Sequence, residues 1–465
     1  LTYQYLEARA DAFEIAEGQD LNPANGNPVL DYKDRTSLQD GESKTFNRNG
    51  FANLEVNFAI GDHLLTSVSG YQDIKDTSGL DLDRGNGISN YGDLQLVKTA
   101  GRRITQELRL TKVDAEFWEY TAGLFYNEQR LFTANLNRLD SGIPGGGPGG
   151  SDGVFNTGNI LAKVPTDNES FGAFLDNKFY LSDYTTLQVG ARWSKIRNIS
   201  QLSLVAGPEG AFGFIPAGTP FGPPVIPKSE VVQKDIAWTG GIKLTHDIND
   251  EVMLYGSIDR SYRPGGFVIE PSAPSSINDA LIFESETSNS LEIGFKSTLL
   301  DQSLRFNATA YYSKISDLQT SRFDPTNISF LVFTDNVGDA EIKGIDGDFS
   351  WVATDNLIIR GAFSYLDTEL TSINDELAGI APAVGSRLPY SAKFSGNLQA
   401  EYFYHIAKDM TGYINGSISY TGDRLAGMSM DAYVIEDAAN LIYGTGSGLS
   451  IEREADVYSG VNYQD

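Results

Sequence analysis

The sequence predicts an all-β protein, a large antiparallel β-barrel that crosses a membrane, and three observations support this fold class. Segments of about nine to twelve residues alternate between apolar and polar side chains, which is the period of a strand with two different faces. Short polar turns alternate with long loops rich in Gly, Pro, Asp, Asn and Ser. No run approaches the roughly 20 apolar residues of a membrane helix, whereas a tilted strand crosses a bilayer with about 9 to 11 residues.

The composition agrees with this fold class and excludes several functions. The 465 residues include 23 Tyr, 25 Phe and 48 Gly, and a mean hydropathy of -0.25 is compatible with strands that show one face to lipid. A net charge of -27 argues against nucleic acid as a partner and against peripheral binding to an anionic membrane. Because the chain has no cysteine, it has no disulfide, thiol nucleophile or thiolate metal site.

The alternating segments are clearest at four places along the chain. In residues 103–111, Ile104, Leu108 and Leu110 lie on one predicted face while Glu107 and Arg109 lie on the other. The same pattern recurs in residues 186–195, 303–312 and 357–365. These segments are longer than the usual soluble strand of about five or six residues.

Seven short turns divide the chain into hairpins. They are predicted at residues 61–62, 114–115, 182–183, 249–250, 301–302, 354–355 and 408–409. Long loops are predicted between the hairpins, at residues 76–102, 130–169, 199–235, 263–288, 316–340, 368–390 and 422–449. Short periplasmic turns and long extracellular loops are typical of transmembrane barrels.

The strand count follows from these hairpins. Seven hairpins give about fourteen strands, and residues 1–8 and 449–462 raise the expected number to roughly sixteen. Since every backbone polar group must be paired in hydrocarbon, the sheet is expected to close.

Charged residues on the polar faces of the strands are expected to face the barrel interior, because a charge on the lipid face costs a few kcal/mol near the bilayer midplane. The candidates are Glu107, Arg109, Arg192, Lys243, Glu292, Lys296, Arg305 and Arg360. Outside the membrane, a second set of candidates for ligand contact lies in or beside the long loops. These are Arg263, Phe267, Phe212, Phe214 and Phe221.

The three histidines do not indicate a catalytic or metal-binding site. His63, His246 and His405 lie in or beside short turns, and nothing in the strand alternation brings them together. We therefore expect no catalytic residues, no metal site and no cofactor, and the chain is not expected to be an enzyme.

Several strings of residues resemble the barrels of TonB-dependent receptors. These are residues 104–110 (ITQELRL) with 120–126 (YTAGLFY), 254–258 (LYGSI) with 261–267 (SYRPGGF), 284–296, which contain LEIGFK, 306–312, and 336–340 (NVGDA) with 344–347 (GIDG). Each string alone is weak, but together they follow the order and spacing of that family across most of the chain.

This resemblance implies a 22-stranded barrel, gated in the family by a plug domain that carries a TonB-contacting segment. Neither is visible before Leu1, and the end of the chain lacks the family's aromatic last strand. Residues 1–465 are therefore expected to be a barrel portion, truncated at both ends and without its plug. The charges on the polar face would seat the plug, or would pair with each other across neighbouring strands; both interpretations stay open here.

The resemblance also implies a function in the outer membrane of a Gram-negative bacterium, the import of a scarce and bulky solute. The expected partners are the TonB system, the lipid bilayer with lipopolysaccharide, and a siderophore-like ligand. An iron–siderophore complex is the first choice of cargo, with an oligosaccharide or a corrinoid as alternatives. A passive porin, an outer-membrane hydrolase and a soluble binding module are the rival classes.

Overall fold

The computed structural model describes residues 1–11, 44–80, 94–112, 115–141, 156–206, 229–267, 282–323, 332–374, 383–408 and 410–424. Its regular structure consists of nineteen strands. They are β1 Thr2–Asp11, β2 Lys44–Ile60, β3 His63–Leu80, β4 Leu94–Lys112, β5 Trp118–Ser141, β6 Asn156–Ser182, β7 Thr185–Ala206, β8 Ser229–Asn249, β9 Val252–Arg263, β10 Gly266–Phe267, β11 Ile282–Phe283, β12 Glu286–Leu299, β13 Leu304–Ser316, β14 Gln319–Phe323, β15 Val332–Asn336, β16 Ala340–Thr354, β17 Leu357–Leu370, β18 Phe394–Ala407 and β19 Met410–Thr421.

Fifteen of these strands form one antiparallel sheet in which every strand pairs with its neighbours in chain order. Two small hairpins, β10–β11 and β14–β15, lie outside this order. The all-β antiparallel fold predicted from the sequence is confirmed. In the part of the chain that the structure describes, no helix is long and apolar enough to cross a membrane. Closure of the sheet stays a prediction.

The strand pairing confirms the seven short connections, because each lies between two strands that pair with each other; Asp114 and Asp409 themselves lie outside the described residues. They connect β2 to β3, β4 to β5, β6 to β7, β8 to β9, β12 to β13, β16 to β17 and β18 to β19. At the first turn, the Asp62 backbone N–H and then the Lys112 ammonium hold the pKa of the Asp62 carboxyl below its usual range. The strand expected at residues 1–8 is also confirmed as β1, whereas residues 449–462 lie outside the described residues.

The strands are longer than the alternation predicts, so part of the predicted loops was wrong. β5 has 24 residues and β6 has 27, and both extend into the segment 130–169 that was expected to be a loop. β7 and β8 extend in the same way into the segment 199–235. Beyond the bilayer both faces of a strand meet water, so the apolar alternation is lost while the backbone hydrogen bonds continue.

The two faces of the large sheet differ in character. One face, here called the outward face, carries rows of directly opposed apolar residues, such as Val189, Ile242, Ile258 and Leu291. Ile258 is 63% exposed and Ile293 is 66% exposed. Only six hydrophobic residues of the described chain are buried, so these side chains have no protein core to pack against. Exposed apolar surface on this scale requires lipid.

Candidate functional site

The polar face of the sheet contains all eight charged residues predicted for the barrel interior. Strand register shows this directly, because Arg109, Gly123, Phe174 and Arg192 stand opposite one another on four successive strands. Lys243, Ser257 and Glu292 form a second row. Lys296 stands opposite Asn307, and Arg305 and Arg360 both stand opposite Ser350.

Arg192 is the best-defined cation on this face. Its guanidinium carbon lies 5.2 Å from the ring centre of Phe125 and 5.8 Å from that of Phe174, and its Nε donates to Ser194 Oγ at 3.1 Å. The guanidinium also lies over Gly172, where a Cβ would come within 2.8 Å of Nη2. A cation stacked on aromatic rings keeps its position while its outer N–H groups remain able to donate.

Most other cations of the polar face have a partner. Arg109 pairs with Glu107 at 3.0 Å, Arg305 with Asp348 at 3.8 Å, and Arg360 with Glu401 at 3.6 Å. Lys243 lies 4.7 Å from the ring centre of Tyr255. Mutual pairing is therefore part of the arrangement, and contact between these residues and a plug stays a prediction.

Glycines opposite aromatic residues shape the same face. Gly123 opposes Phe174, Gly294 opposes Tyr255, and Gly344 opposes Tyr311. At each of these glycines an added Cβ would collide with the opposing ring. The rings therefore lie flat across the neighbouring strand, and the Tyr255 hydroxyl reaches Thr309 Oγ1 at 2.6 Å.

A second site lies at the loop ends of β9, β12, β13 and β16, and we call it the rim network. It consists of Arg263, Glu284, Glu286, Gln319 and Asn336. Gln319 is 5% exposed, and its Nε2 donates to the carbonyls of Pro264 at 3.0 Å and Glu284 at 2.9 Å. Its backbone N–H donates to Glu286 Oε2 at 2.6 Å.

Asn336 completes the rim network. Its Nδ2 donates to the carbonyls of Glu284 at 3.0 Å and Asp317 at 2.7 Å, and its Oδ1 accepts from the Glu284 backbone N–H. Beside it, Val337 and Leu370 are almost completely buried and form a small hydrophobic core. The hairpins β10–β11 and β14–β15 are thereby fixed to the same point of the barrel end.

A third feature is a groove of about 530 Å³ on the polar face of β13 and β16 to β19. Hydroxyl and amide side chains line it, including Thr309, Ser364, Asn397 and Ser419, together with Asp346 and Asp348. Around the groove the wall thus has small hydrogen-bonding groups and carboxylates, whereas Arg305 and Arg360 lie nearer the short turns of β13 and β17.

Comparison with known proteins identifies the architecture. A family described as "TonB dependent receptor-like, beta-barrel" matches residues 2–443. The chain belongs to the TonB-dependent receptors. It is therefore a transmembrane β-barrel of the outer membrane of Gram-negative bacteria, with short periplasmic turns and long extracellular loops.

Individual receptors resemble the chain over part of their length. The metal-pseudopaline receptor CntO of Pseudomonas aeruginosa strain UCBPP-PA14 is 30% identical over 206 residues, 43% of this chain and 25% of CntO. The ferric yersiniabactin uptake receptor FyuA of Yersinia pestis superposes with a TM-score of 0.62 at 15% identity, over 82% of this chain and 51% of FyuA. The siderophore receptor PiuA of Acinetobacter baumannii gives a TM-score of 0.62 at 18% identity, over 92% of this chain and 63% of PiuA. The chain thus spans less than two thirds of each of these receptors.

The ligand-contact residues predicted for this TonB-dependent receptor have different settings. Arg263 Nη1 donates to the Gln319 carbonyl at 3.4 Å, and Phe267 pairs with Ile282 in the β10–β11 hairpin. Both residues therefore belong to the loop ends that the rim network holds together. Phe212, Phe214 and Phe221 lie outside the described residues. Ligand contact by all five stays a prediction.

Sequence reasoning missed Gln319 and Asn336 as structural residues. Asn336 begins the NVGDA string that carried the family resemblance, and Arg263 and Glu284 belong to two further strings. In the structure these three separate strings have a common role, because a residue from each of them belongs to the rim network. No local pattern in the sequence links positions 263, 284, 319 and 336.

Proposed function

We propose that the chain is the barrel of an outer-membrane receptor that imports a metal–chelate complex, with an iron–siderophore as the first cargo. Family membership over residues 2–443 is the observation that supports this proposal most directly. The named functions of CntO, FyuA and PiuA, all metal-chelate or siderophore receptors, support the cargo class. An oligosaccharide or a corrinoid is the alternative cargo.

The proposed mechanism is mechanical and involves no bond-breaking chemistry. Cargo is bound at the extracellular end, a plug inside the barrel closes the passage, and TonB supplies the energy that displaces it. Residues of the polar face, Arg192 foremost, seat the plug, while Arg263, Phe267, Phe212, Phe214 and Phe221 are candidates for cargo contact. Lipopolysaccharide and the bilayer surround the outward face.

The groove on β13 and β16 to β19 fits the same mechanism. Its hydroxyl and amide groups offer many weak hydrogen bonds, and a passing solute needs contacts that are favourable but easily exchanged. We propose that this half of the wall borders the route of the solute after the plug is displaced.

The test is uptake of a radiolabelled ferric siderophore by cells with and without the gene, grown under iron limitation. We expect uptake to depend on the gene and on TonB, and to compete with unlabelled ferric siderophore. Uptake that depends on the gene but persists without TonB would indicate the passive porin. Gene-dependent growth on an oligosaccharide or a corrinoid, with unchanged iron uptake, would show that the protein is a receptor for that cargo and not for an iron–siderophore.

A further inference from the structure

Buried oxygen atoms without a hydrogen-bond donor lie beside the rim network. Among the described residues, six buried side-chain oxygens have no partner, and three of them are Gln233 Oε1, Asp235 Oδ2 and Gln319 Oε1. Gln233 is only 8% exposed and Gln319 only 5%, so bulk water has little access to these amides. A buried acceptor without a donor destabilises a fold, and three in one region indicate that another group meets them.

The two amides border the same short stretch of backbone. Gln233 Nε2 donates to the Phe283 carbonyl at 3.3 Å, and Gln319 Nε2 donates to the next carbonyl, that of Glu284, at 2.9 Å. A Cβ at Gly265 would collide with the Gln233 amide and the Phe283 carbonyl, so only glycine allows this close approach. Because each Nε2 already faces a carbonyl, neither amide can be turned round, and each Oε1 is left as an acceptor without a donor.

Asp235 adds a carboxylate to this region. It lies two residues after Gln233 on the same face of β8, and its carboxylate accepts a hydrogen bond from the Tyr262 hydroxyl. Ser285, which follows Glu284, also hydrogen-bonds to that hydroxyl. Since Asp235 Oδ2 is nevertheless without a partner, β8 contributes one amide oxygen and one carboxylate oxygen beside the loop ends.

The charges beside these oxygens are not balanced. Glu286 stands opposite Arg263 on the strand pair β9–β12, and Arg263 is the one cation of the rim network. Asp235 and Glu284 have no ion pair within the part of the chain that the structure describes, although both lie close enough to act on the Tyr262 hydroxyl. The region therefore carries two carboxylate charges that a divalent cation would neutralise.

We propose that Gln233, Asp235 and Gln319 bind a calcium ion that links β8 to the loop ends of the rim network. Ca²⁺ takes about six to eight oxygen ligands from carboxylates, amide side chains, backbone carbonyls and water. The amide and carboxylate oxygens without donors are ligands of this kind, and carbonyls and water complete the shell. The inference goes beyond the proposed function and does not depend on the cargo, because the ion has a structural role.

The ligand chemistry favours calcium over other cations. In the described ranges no three or more His, Cys, Asp or Glu residues are grouped to hold a metal, so amide oxygens must supply most of the side-chain ligands here. Neutral oxygen ligands suit hard cations better than the softer transition metals. Mg²⁺ demands a near-ideal octahedron and keeps most of its water, whereas Ca²⁺ accepts irregular shells. The sequence does not predict the site, because its oxygens come from β8 and β14 and include only one carboxylate.

The experiment measures binding of Ca²⁺ to the full-length receptor in detergent at constant ionic strength. Tb³⁺ serves as the probe, because it occupies calcium sites and emits when a nearby tyrosine such as Tyr262 is excited. We expect saturable emission that Ca²⁺ displaces with a dissociation constant of about 0.1–1 mM and that Mg²⁺ displaces roughly tenfold more weakly or less. Asp235→Asn should lower the Ca²⁺ affinity by about tenfold or more, and Gln233→Met by a similar factor.

The matched control is Asp367→Asn. It removes a carboxylate near the same end of the barrel that already has Lys393 at 3.9 Å. The Ca²⁺ affinity of this variant should stay within about twofold of the wild type, because an exposed ion pair contributes little. Heat-dependent mobility on a gel checks that each variant is folded.

Limited proteolysis gives a second measurement. Ca²⁺ at about 5 mM should slow cleavage at residues 264–267 and 317–323 roughly 5- to 50-fold in the wild type, and should have little effect on Asp235→Asn. Proteolysis of the wild type that does not depend on calcium would overturn the proposal, and buried water would then meet the three oxygens. Equal Ca²⁺ affinity of the wild type and both site variants would also overturn it, since the ion would then lie elsewhere on this acidic chain. Ferric-siderophore uptake is scored separately, so a failure of the proposed cargo leaves this result intact.

Discussion

At the scale of single residues, Arg192 differs from the three other arginines predicted for the barrel interior. Arg109, Arg305 and Arg360 each have a carboxylate within 4 Å, whereas Arg192 is held by Phe125, Phe174 and Ser194. A guanidinium positioned by rings keeps its charge available to an incoming acceptor. This makes Arg192 the strongest candidate for contact with a plug.

Arg192→Gln in the full-length receptor should therefore weaken plug seating by about 1.5–3 kcal/mol, the range for a hydrogen bond to a charged group. Entry of a large antibiotic that the outer membrane normally excludes would measure the leak. Arg360→Gln is the matched control, because Glu401 already meets the charge of Arg360. Equal leakage in both variants would show that Arg192 has no special role.

Asn336 is the second residue with a disproportionate effect, because its amide serves three backbone groups at once. Its replacement leaves those groups without a partner in a mostly buried site, and Asn336 itself is only 6% exposed. The consequence should be local, since the large sheet does not depend on these bonds.

We predict that Asn336→Ala lowers the stability of the loop ends by about 2–4 kcal/mol. Limited proteolysis should then cut beside the rim network, at residues 264–267, 282–285, 317–323 and 332–336, well before it cuts the large sheet. Gln399→Ala, an exposed amide on the polar face, should leave the cleavage pattern unchanged. Unaltered proteolysis of the Asn336 variant would mean that other contacts hold these segments.

At the scale of elements, the β12–β13 turn is unusual. Leu300, Asp301 and Gln302 all have positive φ, at 56°, 54° and 70°, although none of them is glycine. L-residues pay about 1–2 kcal/mol each for this conformation. The hydrogen bonds of Ser303 to the Leu300 carbonyl and the paired strands on both sides hold the turn in place.

Gln302→Gly should therefore stabilise the hairpin by about 0.5–1 kcal/mol, because relief of the left-handed strain exceeds the entropy cost of glycine in the unfolded chain. Urea unfolding in lipid vesicles gives the measurement. Ser303→Gly should act in the opposite direction, since it removes the hydroxyl bond to the Leu300 carbonyl at 2.8 Å. A lower midpoint for Gln302→Gly would refute the strain argument.

The elements also show what the sequence could predict. All seven short turns were found, because a turn between two alternating segments is a local signal. The sequence did not predict the outer halves of β5 to β8 or the hairpins β10–β11 and β14–β15, because water on both faces removes the apolar alternation there. The rim network could not be predicted from the sequence for a different reason. Its residues are separated by up to 73 positions, from Arg263 to Asn336, and only the pairing of the strands brings them together.

At the scale of the whole molecule, lipid takes the place of a protein core. Leu398 stands midway between Phe394 and Tyr402 on the outward face of β18 and is 46% exposed. Its neighbour Asn397 points to the polar face and lines the groove. Two adjacent residues of β18 thus face the two different environments, lipid for Leu398 and the polar face for Asn397.

Leu398→Lys should destabilise the folded barrel in a bilayer by about 2–4 kcal/mol, the cost of a cation near the midplane. Asn397→Lys should change stability by no more than about 0.5 kcal/mol, because the same charge then faces water. Folding titrations in vesicles compare the two. Equal penalties for both substitutions would show that the faces have been assigned the wrong way round.

The length of the strands has a consequence for how a solute first meets this protein. A strand of 27 residues at about 3.3 Å per residue, tilted by about 45°, rises roughly 60 Å, twice the thickness of the hydrocarbon layer. The hydrogen-bonded wall of β5 to β8 therefore extends well beyond the hydrocarbon layer on the side of the predicted long loops. Under the proposed function, a cargo molecule would first be met at a fixed height above the lipid, set by these paired strands.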